Sequence, residues 1–372
     1  MTIATTHVGS LPRPQAVVDQ IFMRERGEPV DEAAFDAVVG EAVDEAVRKQ
    51  VAAGISWVSD GEMSKISYAT YVKDRYTGFD GDSPRNAPAD LKRFPSFLQR
   101  IAKAGGTPEY ARPCCVGPIE TKPVSHLQDD IRRFQAALSA HGSPRGFMNA
   151  ASPGVVALFL PNRYYPTQEA YLDALSAALA TEYQAIVDAG LDLQVDCPDL
   201  ALSRHMLFTD LSDADFLKII ETHVAALNAA LADIPKDRVR LHVCWGNYEG
   251  PHVCDIEMDT IFPVLMRAKA GYLLFEGANP RHAHEWVVFR DRANEMPDDL
   301  VLVPGVLDST TNFVEHPELV RQRLSQFVTV FGHDRVAGGT DCGFGTFAGF
   351  GAVDPEIAFA KLESLAKGAA LV

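Results

Sequence analysis

The stretch Val239-Arg240-Leu241-His242-Val243-Cys244-Trp245-Gly246, followed by a helical pattern over residues 259–269 and then by Tyr272-Leu273-Leu274-Phe275-Glu276, decides how this chain reads. A short β-branched run, a segment with helical periodicity and a second short apolar run make one strand–helix–strand unit. That unit is the repeat of a parallel sheet covered by helices. The alternation continues in both directions, with candidate strands at residues 3–8, 55–59, 114–116, 191–195, 239–243, 272–275, 300–303 and 336–338. The clearest helices fall at 31–53, 168–189, 213–231, 259–269, 317–330 and 355–367. Eight alternations in one series predict an α/β fold, a (β/α)8 TIM barrel, with residues 1–372 forming a single domain. The connections at 61–113 and 117–190 are too long for simple barrel loops, so long insertions are expected after strands 2 and 3, building a lid or an entrance.

Composition agrees with a folded domain. Apolar residues make up 47% of the 372 and charged ones 23%, near the globular average. The 50 acidic against 34 basic side chains leave a formal charge of −16, which repels a phosphate backbone or an anionic membrane. Neither nucleic acid nor membrane is therefore expected as a partner. The start Met1-Thr2-Ile3-Ala4-Thr5-Thr6-His7 has neither the basic beginning nor the apolar stretch of a secretory signal, so the cytoplasm is the expected location. Cysteines stand at 114, 115, 197, 244, 254 and 342. A chain this large in a reducing compartment has no use for a disulfide framework, which leaves metal binding or burial for them. The Gly-rich segment 338–345 lacks the spacing and the Lys of a phosphate loop and reads as a turn after the last strand.

His242 and Cys244 are two apart on a strand, so their side chains share one face and reach a common point. A packed pair has the same spacing. Position adds the chemistry: both sit where the fifth strand ends, on the rim where barrel enzymes carry their reactive groups. Glu276, after the sixth strand, and Cys342, after the eighth, occupy equivalent rim positions. Glu276 also reads as an acid, a base or a partner of Arg281. Imidazole, carboxylate and two thiolates form a tetrahedral set suited to Zn2+. Zinc removes the proton from a bound thiol, and an anionic ligand set leaves that thiolate electron-rich, which favours thiol alkylation over hydrolysis.

Several ordered motifs lie at strand ends: Thr6-His7-Val8-Gly9-Ser10-Leu11-Pro12, Asp60-Gly61-Glu62, Gln194-Val195-Asp196, His242-Val243-Cys244, Glu276, Gly305-Val306-Leu307-Asp308 and Asp341-Cys342-Gly343. Together they resemble the cobalamin-independent methionine synthases, specifically their C-terminal catalytic barrel and its single-barrel relatives, over most of the chain. The resemblance implies zinc held by His242, Cys244, Glu276 and Cys342. It also implies an amino-acid thiol site at Ser10, Glu62 and Asp196, with the carboxylates on an ammonium and the hydroxyl on a carboxylate. Read without it, Ser10 is a helix cap and the two acids are solvated loop residues.

This sequence has no counterpart of the N-terminal barrel of the full-length synthases. Cys197 stands where they have an acid, and Thr310 where they have a His. Epoxyalkane:coenzyme M transferases are similar in length and in the His-x-Cys and distant Cys positions. The segments 161–165 and 279–285 are dense in donors for an anionic tail, although His282 and His284 read equally as structural. The expected activity is therefore zinc-dependent alkyl transfer to a small-molecule thiol, first of all methyl transfer to homocysteine. The alkyl donor is a folate or an epoxide. Addition of a thiol to an epoxide, a zinc-dependent hydrolase or lyase, and a metal-storage or regulatory barrel are the alternatives.

Overall fold

The computed structural model describes residues 2–84, 87–103, 110–122 and 126–372. Eight parallel strands form a nearly closed barrel: β1 (Ala4–Thr5), β2 (Trp57–Ser59), β3 (Arg145–Ala151), β4 (Asp192–Asp196), β5 (Val239–Val243), β6 (Tyr272–Phe275), β7 (Val301–Leu307) and β8 (Ala337–Thr340). They pair in the order β1-β8-β7-β6-β5-β4-β3-β2. No ladder joins β1 to β2. Side chains close that seam instead: Thr5 N–H donates to Ser56 Oγ at 3.0 Å, the Thr6 hydroxyl to the Trp57 carbonyl at 3.0 Å and the Ser59 hydroxyl to the Gly9 carbonyl at 2.8 Å.

One outer helix follows each strand: α1 (Glu32–Ala52), α2 (Leu127–Ala140), α3 (Gln168–Asp188), α4 (Asp213–Ala230), α5 (Met258–Leu265), α6 (Trp286–Asp291), α7 (Pro317–Phe331) and α8 (Pro355–Ala369). Asp31, Thr167, Ser212 and Asp354 start α1, α3, α4 and α8 by accepting backbone N–H groups that the first turn leaves unpaired. Pro at the first turn of α7 and α8 fixes the backbone there without the loss of a hydrogen bond.

The barrel interior is filled. Val8, Leu274, Val303 and Ala337 form its apolar layer. Beneath them the buried Arg240 guanidinium lies 3.5 Å from the Phe147 ring centre and 4.2 Å from that of Trp57, and donates to the His7 carbonyl. Chemistry is thereby confined to the open, C-terminal rim.

Seven of the eight expected strands coincide with barrel strands; the third does not. Cys114–Cys115 pairs antiparallel with Phe79–Asp80 outside the barrel, and Arg145–Ala151 is the third barrel strand. Its sequence, Arg-Gly-Phe-Met-Asn-Ala-Ala, is poor in β-branched residues, whereas Cys-Cys-Val looks like a strand. Pairing on both sides with β2 and β4 and burial on both faces override that local preference. Extra chain leaves the barrel after strands 2 and 3, as expected, but over residues 60–126 and, more briefly, 152–167. All six cysteines are free, and among the described residues no helix is long and apolar enough to cross a membrane.

Phe147→Ala should cost about 3–5 kcal/mol of unfolding free energy, the scale of a large core deletion. Val116→Ala, at an exposed position beside the displaced hairpin, should change stability by about 0.5 kcal/mol or less. Urea denaturation of the two variants checks the strand assignment.

Candidate metal centre

Strand register builds the site. Asp196 and His242 are direct partners across β4 and β5, so their side chains leave the ladder on the same side. Asp196 Oδ1 lies 3.0 Å from His242 Nδ1. A carboxylate only accepts, so this contact places the proton on Nδ1 and turns the Nε2 lone pair toward the cysteines. Cys244 follows two residues along the same face, and Cys342 enters from the end of β8 with its sulfur 3.9 Å from His242 Nε2. One donor atom from each of His242, Cys244 and Cys342 lies within 4.8 Å of the others, and all three residues are buried.

Glu276 is buried beside this triad but does not belong to it. Its Oε1 accepts Trp245 N–H at 2.8 Å and its Oε2 accepts the Asn279 amide at 2.9 Å. Asp196 is likewise engaged: besides His242 it accepts from the Gln194 amide at 3.1 Å and from the Asn149 amide at 2.9 Å. Asn149 also donates to the Val8 carbonyl, tying β3 to β1 beneath the site. A Cβ on Gly9, whose φ is +132°, would sit 2.1 Å from the Asn149 side-chain oxygen, so this close approach requires glycine.

Glu62 is almost wholly buried, in a left-handed backbone conformation at φ +54°, which costs about 1–3 kcal/mol in a residue other than glycine. Its Oε2 has no hydrogen-bond partner, and the nearest cation there, Lys65 Nζ, stands 3.8 Å away and donates to the Asn149 carbonyl. Ser10 lies against the loop of Cys342: its carbonyl accepts Phe344 N–H at 2.8 Å, and its hydroxyl occupies the space a Cβ on Gly343 would fill. Ser10 caps no helix, since the helix Gln15–Glu25 begins after Pro14, and Glu62 is buried rather than solvated.

Burial lifts the Glu62 carboxyl to about 7, with Lys65 opposing and Asp196 adding to the rise. Burial would depress the His242 imidazole, but the Asp196 hydrogen bond and the nearby Cys244 and Glu276 charges outweigh it and raise it to about 9. Contact with Cys244, then burial and the Glu276 and Asp341 charges, push the Cys342 thiol well above its ordinary range. Two buried thiols and an imidazole that face one another among carboxylates are the donors a divalent metal would take, releasing their protons. The donor set therefore fits such an ion.

Local sequence pattern does not disclose the supporting residues. Asp341, next to Cys342, accepts the N–H groups of Gly277, Ala278 and Asn279 and so fixes the loop that follows Glu276. Asn247 donates to the Gly343 carbonyl and the Thr346 hydroxyl and accepts from Ser309, joining the loops after β5, β7 and β8. Their partners come from distant loops, and the only signal available was the Asp beside a candidate ligand. At the two departures from the synthase pattern, Cys197 is buried with its sulfur 3.7 Å from the Val195 carbonyl, and Thr310 donates to Asp308.

No family model matches the chain. It is 24% identical over 378 residues to a methionine synthase of Sulfurisphaera tokodaii, covering 100% of this chain and 92% of the relative. To a methionine synthase of Sulfolobus acidocaldarius it is 23% identical over 374 residues, with the same coverage. The fold matches a B12-independent methionine synthase from Shewanella sp. W3-18-1 solved with selenomethionine, at TM-score 0.75 and 18% identity, over 100% of this chain and 98% of that one. A putative vitamin-B12-independent methionine synthase from Listeria monocytogenes matches at TM-score 0.69 and 18% identity, over 99% and 98%. Sequence and fold thus both support the resemblance to the cobalamin-independent methionine synthase family.

Cys244→Ser and Cys342→Ser should each cut the thiolate-to-metal charge-transfer absorption of the cobalt-substituted protein by about half or more, while leaving its circular dichroism unchanged. Cys254→Ser and Cys115→Ser should preserve that absorption. Asp196→Ala should weaken metal binding at the cysteines about 10- to 100-fold, as loss of a histidine-orienting carboxylate does; competition with a chelator measures it.

Proposed function

We propose that this chain is a zinc-dependent transferase that activates a small thiol for alkylation, methyl transfer to homocysteine being the first reading. The observation that carries it is the convergence of His242 Nε2 with two cysteine sulfurs at the barrel rim, among buried acids. His242, Cys244 and Cys342 would hold the ion. Glu276 would be a fourth ligand if it released Asn279. Zinc bound there supplies one thing: it keeps a coordinated thiol deprotonated at neutral pH.

The chain's own residues do the rest. Asp196 holds the Nδ1 proton of His242, which keeps Nε2 available as a donor. The unpaired Oε2 of Glu62 suits the ammonium of an amino-acid thiol, and the Ser10 hydroxyl beside Gly343 suits its carboxylate. Burial of Glu62, Ser10 and Asp196 excludes water from the thiol. The length-wide similarity to methionine synthases supports methyl transfer as the reaction class.

One observation favours thiol addition to an epoxide as a second reading. A cavity of about 270 Å³ beside Leu202, whose N–H bonds the Cys244 carbonyl, is lined by both Arg112 and Arg163 among apolar side chains. Two guanidinium groups suit a sulfonate thiol.

Turnover of zinc-loaded protein with homocysteine and a methyl donor, against coenzyme M and an epoxide, separates the two. Under the first reading Glu62→Gln raises the homocysteine KM tenfold or more, since a charge-assisted hydrogen bond contributes about 1.5–3 kcal/mol. Loss confined to Arg112→Gln or Arg163→Gln with coenzyme M would overturn it. Glu62 also sets a pH dependence. Below about 7 its carboxyl is protonated and cannot pair with an ammonium; above that it is ionised and can. The homocysteine KM should therefore fall as pH rises through about 7, and Glu62→Gln should remove that part of the dependence.

A further inference from the structure

Trp245, the residue after Cys244, stacks its ring on His282 at 4.1 Å, and His282 belongs to a second convergence of donor groups. His252 and Asp255 lie in the loop between β5 and α5, and His282 in the loop between β6 and α6. One donor atom of each lies within 4.8 Å of the others. Their side chains are 4%, 1% and 3% exposed, so water is not the solvent of these groups.

The hydrogen-bond arithmetic of the cluster does not close with neutral rings. His252 Nε2 lies 3.1 Å from the Tyr248 carbonyl, and His282 Nδ1 lies 2.8 Å from Glu285 Oε2. A carbonyl and a carboxylate only accept, so each of these far nitrogens carries the ring proton. The near nitrogens, His252 Nδ1 and His282 Nε2, then turn lone pairs onto the same oxygen, Asp255 Oδ2, at 2.7 and 2.9 Å. Either each ring takes a second proton or a cation sits among the three.

A third imidazole stands at the other oxygen of the same carboxylate. His205, 1% exposed in its side chain, has Nδ1 3.4 Å from Asp255 Oδ1. Neither nitrogen of His205 makes a well-formed hydrogen bond, and neither does Asp255 Oδ1. A cation among His252, Asp255 and His282 takes both lone pairs without a second proton on either ring. The outward hydrogen bonds to Tyr248 and Glu285 are also what metal-ligating histidines make with their second nitrogen.

We propose that His252, Asp255 and His282 form a second metal site, separate from the cysteine centre, that takes a divalent first-row transition metal. Two imidazoles and a carboxylate suit zinc and its neighbours and offer nothing selective for magnesium or calcium. The charges of Asp255 and Glu285 balance a dication. The site joins the loops after β5 and β6 behind Trp245, and so braces the backbone on which Cys244 stands.

Cobalt(II) titration of the full-length chain, stripped of metal, tests it. Two equivalents should bind, one giving a thiolate-to-cobalt charge-transfer band and the other only the visible ligand-field bands of nitrogen and oxygen ligation. The double variant Cys244→Ser/Cys342→Ser should keep the second equivalent alone. His252→Gln/His282→Gln should keep the first alone; if that variant fails to fold by circular dichroism, the wild-type titration and the cysteine variant decide. A single equivalent in the wild type, all of it thiolate-bound, overturns this site and leaves the thiol-activation reading standing. So does a second equivalent that survives loss of both histidines in a folded variant.

Discussion

The register of β4 against β5 sets Asp196 opposite His242, and the chemistry of the rim hangs on that pairing. Because paired residues of a parallel sheet project to the same side, the carboxylate reaches Nδ1 and dictates which nitrogen of the ring faces the two cysteines. Asp196 is held by Asn149 from β3, and Asn149 by the Val8 carbonyl that follows β1, so four strands converge on one imidazole. A slip of one residue between the two strands would turn Asp196 and His242 to different faces.

Electrostatics makes the same demand from another direction. Cys244, Cys342, Asp196, Glu276, Asp341 and Glu62 are all buried within a few residues of the strand ends. Burial, with neighbouring like charges, raises both Glu62 and Asp341 to about 7. Buried charges of one sign are costly unless compensated. A divalent ion at the triad would compensate them, and under the proposed function the acids would position ligands and receive a substrate ammonium.

The fold was legible wherever a strand carried its own pattern. The runs at 239–243 and 272–275 are apolar, short and bounded by helices, and they are barrel strands. Arg145–Ala151 was not legible, because its strand character comes from its neighbours rather than from its Gly, Asn and Ala residues. At the site, the two-residue spacing of His242 and Cys244 and the rim position of Cys342 were enough to assemble the triad. Sequence could not say that Glu276 is occupied by Trp245 and Asn279, or that Asp196 engages His242, because those partners are fixed by loop conformation and register. The His205, His252 and His282 cluster draws on three separate loops, and only the nearness of His252 to Asp255 is local. Of the pair at 282 and 284, only His282 is buried.

Thiol activation by a metal at His242, Cys244 and Cys342 is tested most directly by proton release. Homocysteine added at neutral pH to the metal-loaded protein in weak buffer should liberate about one proton per chain, since a free thiol with a pKa near about 8.5 is mostly protonated and a metal-bound one is not. The metal-stripped protein, and the Cys342→Ser variant, should release none. Equal proton release with and without metal, or none in either, would contradict the account.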